Sequence, residues 1–244
     1  YLTMDDLNRP ACEFLTELDP SRFAKGAATI TLADVMTMRS GIRIPQDIQQ
    51  QIRSGTTKNQ GQYQVQMFFE RTAPILSAPR EFKYQGIDPA ITMQVIEAVV
   101  PGSAENFLKK ELLEKLKLTQ SHWPEDINGL PKSAAGSSMC SRDMVKWGLL
   151  VRQQGQFNGE QLIPAEYIEQ ATSQLCAPSD TNSYGFFFWQ SVAEVGETKI
   201  ECVTCRGAGG QFIFFFPKLD VITIVTSHNK GMGPLLKTLP ERIL

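Results

Sequence analysis

The chain has 244 residues, with 24 Lys and Arg against 26 Asp and Glu, a net charge of −2. At this length roughly 70–75% of the surface of the unfolded chain is buried on folding, and 42% hydrophobic with 20% charged residues is the composition of an ordinary globular protein. The balanced charge excludes an electrostatic footprint for nucleic acid, and no apolar run approaches the roughly 18 residues of a membrane span.

In chain order, the first half reads as helical. Thr31 and Asp34 form a capping box at the start of a short helix that Gly41 is placed to end. Residues 45–63 are polar and Gln-rich, and read as a surface loop or frayed helix. Asp88 as N-cap and Pro89 at the first helical position open a helix whose stripe is Ile91, Val95, Ile96 and Val99. Gly102 and Ser103 restart a helix with Leu108, Leu112 and Leu116 on one face and a Glu111–Lys115 pair on the other. Ser141 caps a helix to Gln154, rich enough in apolar residues to be well buried, and Gly155 ends it. Asn158-Gly159 is a turn, and Pro164 begins one more helix.

The second half changes character. Residues 184–190, 199–205, 211–216 and 221–227 are rich in aromatic and β-branched residues and read as four strands. Residues 217–220 link the last two as an antiparallel hairpin. Their apolar runs do not alternate, which predicts a sheet covered on both faces. The layout is α+β: a mainly helical region at about residues 30–175, then an antiparallel sheet and C-terminal helix at 184–244, in one domain over 1–244.

Five scattered Cys are too few and too odd in number for a disulfide scaffold. Cys202 and Cys205 are three apart on a predicted strand, so their sulfurs point to opposite faces and cannot share a metal. With His122 and His228 as the two histidines, no metal site and no cofactor is expected. His122, Trp123 and His228 read as packing or surface residues, and Trp189 with the Phe cluster as core.

Six segments in order carry a resemblance. Residues 30–42 (ITLADVMTMRSGI), 82–86 (FKYQG), 137–148 (SSMCSRDMVKWG), 155–164 (GQFNGEQLIP), 184–189 (YGFFFW) and 206–212 (RGAGGQF) follow one another as comparable motifs do in the serine β-lactamase-like family. That family takes in class C β-lactamases, D-Ala-D-Ala peptidases, EstB-type esterases and 6-aminohexanoate-dimer hydrolases. The resemblance implies a β-lactamase-like (DD-peptidase) fold, with an antiparallel sheet flanked by helices plus a helical subdomain. It implies acyl transfer from an ester or linear amide to water, without cofactor or metal. The Gly-Gly-Gln version of the last motif points to the aminohexanoate-dimer hydrolase and esterase side.

By the same resemblance, Tyr84 is the proton shuttle. Gly86 stands where the family has the Asn of Tyr-x-Asn, which disfavours β-lactamase activity. Arg206 stands at the Lys or His position, and reads either as a group pairing with a substrate carboxylate or as a solvated surface Arg. Gly207 and Ala208 let substrate approach the strand, and the N–H near Ala208 is the candidate oxyanion donor. Gly209 and Gly210 serve the bend.

The family's Ser-x-x-Lys lies upstream of a segment that residues 2–8 (LTMDDLN) resemble. Within the chain only Ser227–Lys230 has that spacing, after a strand and without a helix signal. The first residue is Tyr, not Met, and the opening residues hold no secretory signal. The expectation is therefore a portion that lacks the N-terminal nucleophile segment and is inactive alone. It is a fragment of a longer hydrolase, a natural truncation that pairs with another chain, or a non-catalytic binding or partner-dependent descendant. Family members are often exported, so the resemblance favours a periplasmic or secreted compartment, with a cytoplasmic one left open.

Overall fold

In the computed structural model, residues 1–53, 60–228, 238–239 and 242–243 are described. Seven α-helices are described: α1 (Leu32–Met36), α2 (Gln46–Arg53), α3 (Gln62–Arg71), α4 (Ile87–Val99), α5 (Ala104–Leu108), α6 (Ser141–Arg152) and α7 (Ala165–Ala171). Among them run β1 (Ser121–His122), β2 (Ser138–Met139), β3 (Gln156–Phe157) and β4 (Glu160–Gln161), which form two small two-stranded sheets, β1-β2 and β3-β4. After them come β5 (Cys176–Ser179), β6 (Asn182–Tyr184), β7 (Trp189–Val195), β8 (Thr198–Gly207), β9 (Gln211–Phe216) and β10 (Val221–Val225). These last six make one antiparallel sheet in the order β10-β9-β8-β7-β6-β5. The fold is α+β, as the sequence predicts. The described helices are too short or too polar to cross a membrane.

The chain divides into two units. The first is Tyr1–Lys109 with Trp123–Gly136 and is helical. Its core gathers Leu15, Ile30, Val35, Ile42, Ile52, Phe69, Ile91 and Val95. The capping box forms as expected: Thr31 Oγ1 accepts from Asp34 N–H at 3.1 Å, and Asp34 Oδ2 accepts from Thr31 N–H at 3.0 Å. The same carboxylate is ion-paired with Arg80, and both side chains are buried. Arg80 also donates to Thr29 Oγ1 at 2.8 Å and to the Leu76 carbonyl at 3.2 Å. The pair thus fastens the segment before α4 to the start of α1.

Several expectations shift here. Helix α1 ends at Met36, and Met38, not Gly41, makes the first left-handed turn, at φ 57°. The Gln-rich stretch contains a true helix, α2, whose Ile48 and Ile52 reach the core at spacing four. Helix α4 begins at Ile87 with Gly86 as its cap. Asp88 is therefore inside the helix, and its side chain turns to the core instead of capping.

The second unit is Lys110–His122 with Ser137–Leu244 and carries the large sheet. Phe212, Phe214 and Phe216 point to one face, where Leu239 and Ile243 pack. Helix α6 covers the other face at β9 and β10. Gly148 makes that approach close: a Cβ there would sit 2.7 Å from Ile222 Cγ2. The expected strand over 184–190 is instead a corner. Gly185 N–H bonds the Phe188 carbonyl at 2.9 Å and Phe187 takes φ 62°, so β6 and β7 pair antiparallel.

Asp143 is fully buried at the start of α6. Its Oδ2 accepts from the Thr119 and Gln120 N–H groups, both at 2.9 Å, and Oδ1 from Lys146 Nζ at 2.8 Å. Burial works to raise its pKa, but Lys146 and the two backbone donors outweigh burial and hold the carboxyl below the usual carboxylate range. Its contribution to stability is therefore complete above the ordinary carboxylate pKa and is lost as pH falls from there through the depressed value of the fold.

Replacing Arg80 by Ala leaves the Asp34 carboxylate buried without its cation. Denaturant unfolding should show a loss of about 3–5 kcal/mol, with α1 amides exchanging faster. A loss below about 1 kcal/mol would mean that the pair behaves as a surface bridge.

Candidate active site

The sequence nominates Tyr84 in the first unit and Arg206, Gly207 and Ala208 in the second. Tyr84 lies in the extended segment between Arg80 and α4, and its side chain is 58% exposed. Exposure at that level suits a phenol that must meet a ligand. The segment around it is held closely. Lys83 N–H donates to the Met38 carbonyl at 2.9 Å. Gln85 Nε2 reaches the Ile42 carbonyl at 3.4 Å and Asp88 Oδ1 at 3.2 Å. Ser40 Oγ donates to the same Oδ1 at 2.6 Å and accepts from Ile42 N–H at 3.2 Å. Asp88 is fully buried, and its Oδ2 has no hydrogen-bond partner among the described residues. Burial pushes the carboxyl up to about 7, against the lowering effects of Ser40, Gln85 and the Arg43 charge.

Arg206 sits near the end of β8, on the face that carries Phe212 and Thr204. Its guanidinium carbon lies 4.7 Å from the centre of the Trp189 ring, and Nη2 donates to Asn182 Oδ1 at 3.0 Å. Tyr184 meets Trp189 edge-on at 4.8 Å. The stack and the hydrogen bond restrict the orientation of the guanidinium. Arg206 is a preset cation with its plane fixed, which suits recognition of a carboxylate.

After Arg206 the chain turns into β9. Gly210 N–H bonds the Gly207 carbonyl at 3.0 Å, and Gly209 N–H donates to Gln211 Oε1 at 3.1 Å. Gln211 Nε2 also donates to the Ser227 carbonyl, and Ser227 Oγ bonds the Gly209 and Gly210 carbonyls at 3.0 and 2.9 Å. The Gln211 side chain folds over the turn. A Cβ on Gly207 or Gly209 would come within 2.7 Å of its amide group. Ala208 is exposed at the head of this braced turn.

The spacing of Ser227 and Lys230 does not make a nucleophile site in the described residues. The Ser227 hydroxyl is engaged with the turn carbonyls, and Lys230 lies outside the described residues, as does most of the predicted C-terminal helix. Cys202 and Cys205 face opposite sides of β8, pairing with Ser191 and Ile213. Burial raises the Cys202 thiol and pushes the Cys205 thiol up to about 12, so neither supplies a thiolate near neutral pH.

Sequence reading missed the bonding roles of Ser40, Asp88, Asn182 and Gln211. Each acts through a tertiary hydrogen bond. Ser40 and Asp88 are polar residues beside a motif on the buried side of the chain, and that is the signal that marks them, whereas Asn182 and Gln211 are half-buried and carry no such mark.

Comparison with known proteins adds the wider frame. The family model described as Beta-lactamase matches residues 5–244. No curated protein matches the chain. Solved structures that resemble it include a protein of Bacillus anthracis named as a 6-aminohexanoate-dimer hydrolase, at TM-score 0.71 and 17% identity over 92% of this chain and 61% of that one. The octameric penicillin-binding protein homologue from Pyrococcus abyssi superposes at TM-score 0.69 and 16% identity, over 98% and 62%. A class C beta-lactamase mutant does so at 0.70 and 16%, over 97% and 74%. The chain therefore spans 61% of the length of the Bacillus anthracis protein. Identities this low show the fold, and function rests on the site.

Replacing Asp88 by Asn should remove one pH dependence. A carboxyl whose folded pKa is raised is protonated in the fold but ionised in the unfolded chain between about pH 4 and 7. The unfolded state then binds fewer protons, so stability falls as pH rises through that window, by at most about 1.4 kcal/mol per unit. Urea unfolding of both proteins across pH 4–8 should show this slope in the difference between them. A flat difference would contradict the burial of the acid.

Proposed function

The chain belongs to the beta-lactamase family, and on that premise we propose that it forms the downstream part of a serine hydrolase acting on an ester or linear amide through an acyl-enzyme. The observation that carries the reading is the extent of the family match: it runs from residue 5 to residue 244, so the segments of Tyr84 and Arg206 both fall within it.

In this reading a serine of a Ser-x-x-Lys helix, N-terminal to Tyr1 in the encoded protein, attacks the carbonyl carbon. Its proton passes to Tyr84, which delivers it to the leaving alcohol or amine. The carbonyl oxygen becomes an oxyanion that the Ala208 N–H stabilises, a donor of the kind worth roughly 2.7–4 kcal/mol. Water then cleaves the acyl ester and the serine regains its proton. Arg206, with its plane fixed by Trp189 and Asn182, pairs with a carboxylate on the substrate. This chemistry needs no metal or cofactor. Gly86, offering no amide where the family has Asn, favours esters and linear amides over β-lactams.

The encoded protein should hydrolyse p-nitrophenyl esters. Tyr84→Phe should lower kcat by about 10²–10⁴-fold, while Arg206→Ala should raise KM for esters bearing a carboxylate and spare neutral ones. Unchanged kcat in Tyr84→Phe would remove Tyr84 from the mechanism. Failure of the encoded protein to turn over any ester or amide would assign the fold to a non-catalytic binding role.

A further inference from the structure

We propose that Gln211, with Ser227 as its second support, is a positioning residue that fixes the direction of the Ala208 N–H. The proposal rests on the reading of that N–H as the oxyanion donor, and deepens it by naming the side chains that aim it.

The peptide planes of the turn are held one after another. A peptide unit is planar, and its C=O and N–H point opposite ways. The Gly207 carbonyl accepts from Gly210 N–H at 3.0 Å, so it is turned into the hairpin, and the Ala208 N–H of the same plane is turned out of it. Ala208 is exposed, and its N–H has no partner among the described residues. The next plane carries the Gly209 N–H, which Gln211 Oε1 accepts at 3.1 Å. The two planes that meet at Ala208 are thus held, one by the backbone and one by Gln211. The following two planes carry the Gly209 and Gly210 carbonyls. The Ser227 hydroxyl lies 3.0 and 2.9 Å from them and shares its single proton between the two. Gln211 Nε2 donates to the Ser227 carbonyl, which joins the two supports into one.

The hairpin itself does not need these side chains. Gly207 pairs with Gln211, so Ala208, Gly209 and Gly210 are the link between β8 and β9. A link of that length closes with one turn bond and one left-handed residue. Both are present in the backbone: Gly210 N–H bonds the Gly207 carbonyl, and Gly210 takes φ 87°. Gln211 and Ser227 are therefore an addition to a turn that is already closed. What they add is stiffness around one exposed amide that bonds nothing within the fold. Stabilising an oxyanion demands that stiffness, because the donor must stand in place before the charge develops.

The test compares the full-length encoded protein with its Gln211→Met variant, which keeps the bulk of the side chain and loses its bonds. On p-nitrophenyl esters kcat and kcat/KM should fall together, by about 10–10²-fold, as they do when an interaction made only in the transition state is weakened. The matching thionoesters should lose less, because sulfur is a weak acceptor and draws less on the donor. Ser227→Ala should repeat this pattern, and Ser227→Thr, which keeps the hydroxyl, should restore ester turnover. Backbone ¹⁵N relaxation should show the Ala208 amide gaining motion in Gln211→Met. Unchanged kcat, or equal losses on ester and thionoester, would overturn the positioning role. So would an Ala208 amide as rigid in the variant as in the wild type. If Gln211→Met does not fold, the contrast between Ser227→Ala and Ser227→Thr, read by the same ester, thionoester and relaxation measurements, decides the matter. A wild-type protein that turns over neither substrate, yet shows the relaxation change, would defeat the acyl-enzyme reading and leave the brace standing. An active enzyme indifferent to Gln211→Met would defeat only the brace.

Discussion

A carboxylate that leaves water costs several kcal/mol unless donors replace its hydration. Asp34, Asp88 and Asp143 are all buried, and the chain meets that cost in a different way at each. Asp34 takes a helix-cap amide and an arginine. Asp143 takes two backbone amides and a lysine. Asp88 takes a hydroxyl and an amide side chain, and its Oδ2 has no hydrogen-bond partner among the described residues. In every case at least one donor comes from a loop distant in sequence. Satisfying the buried acids is therefore what fixes the loops.

This constraint links stability to the site. Arg80 is four residues before Tyr84, and Gln85 directly follows it. The bonds that neutralise Asp34 and partly satisfy Asp88 also set the path of the chain that presents the phenol. In the sheet unit the corresponding device is Gln211, whose amide braces the turn after Arg206 and lies close over Gly207 and Gly209. Both candidate regions are exposed side chains or amides on supports that are locked beneath them, as a preorganised site requires.

Much of this was legible in the residues. The Thr31–Asp34 capping box, the Glu111–Lys115 pair at 2.9 Å and the β9–β10 hairpin form as local pattern dictates, because each depends on neighbours in sequence. Misreadings arise where tertiary bonds prevail. Asp88 looks like a helix cap, since Asp before Pro usually is, yet Ser40 draws its side chain to the core. Residues 184–190 look like one strand, but aromatic content does not reveal the left-handed Phe187 that breaks it. The Asp143 motif was recognisable, but its partners were not, because they are backbone amides and leave no mark in residue identity. Arg206 was nominated by position alone, and only the structure supplies the Trp189 and Asn182 contacts that turn it into an oriented cation.

The central claim is that these supports serve a serine acylation reaction. Peptide mapping of the encoded protein after treatment with a fluorophosphonate tests it most directly. The account predicts one adduct, on a serine with Lys three residues later and N-terminal to Tyr1. An adduct on Ser227, or no adduct at all, would contradict it.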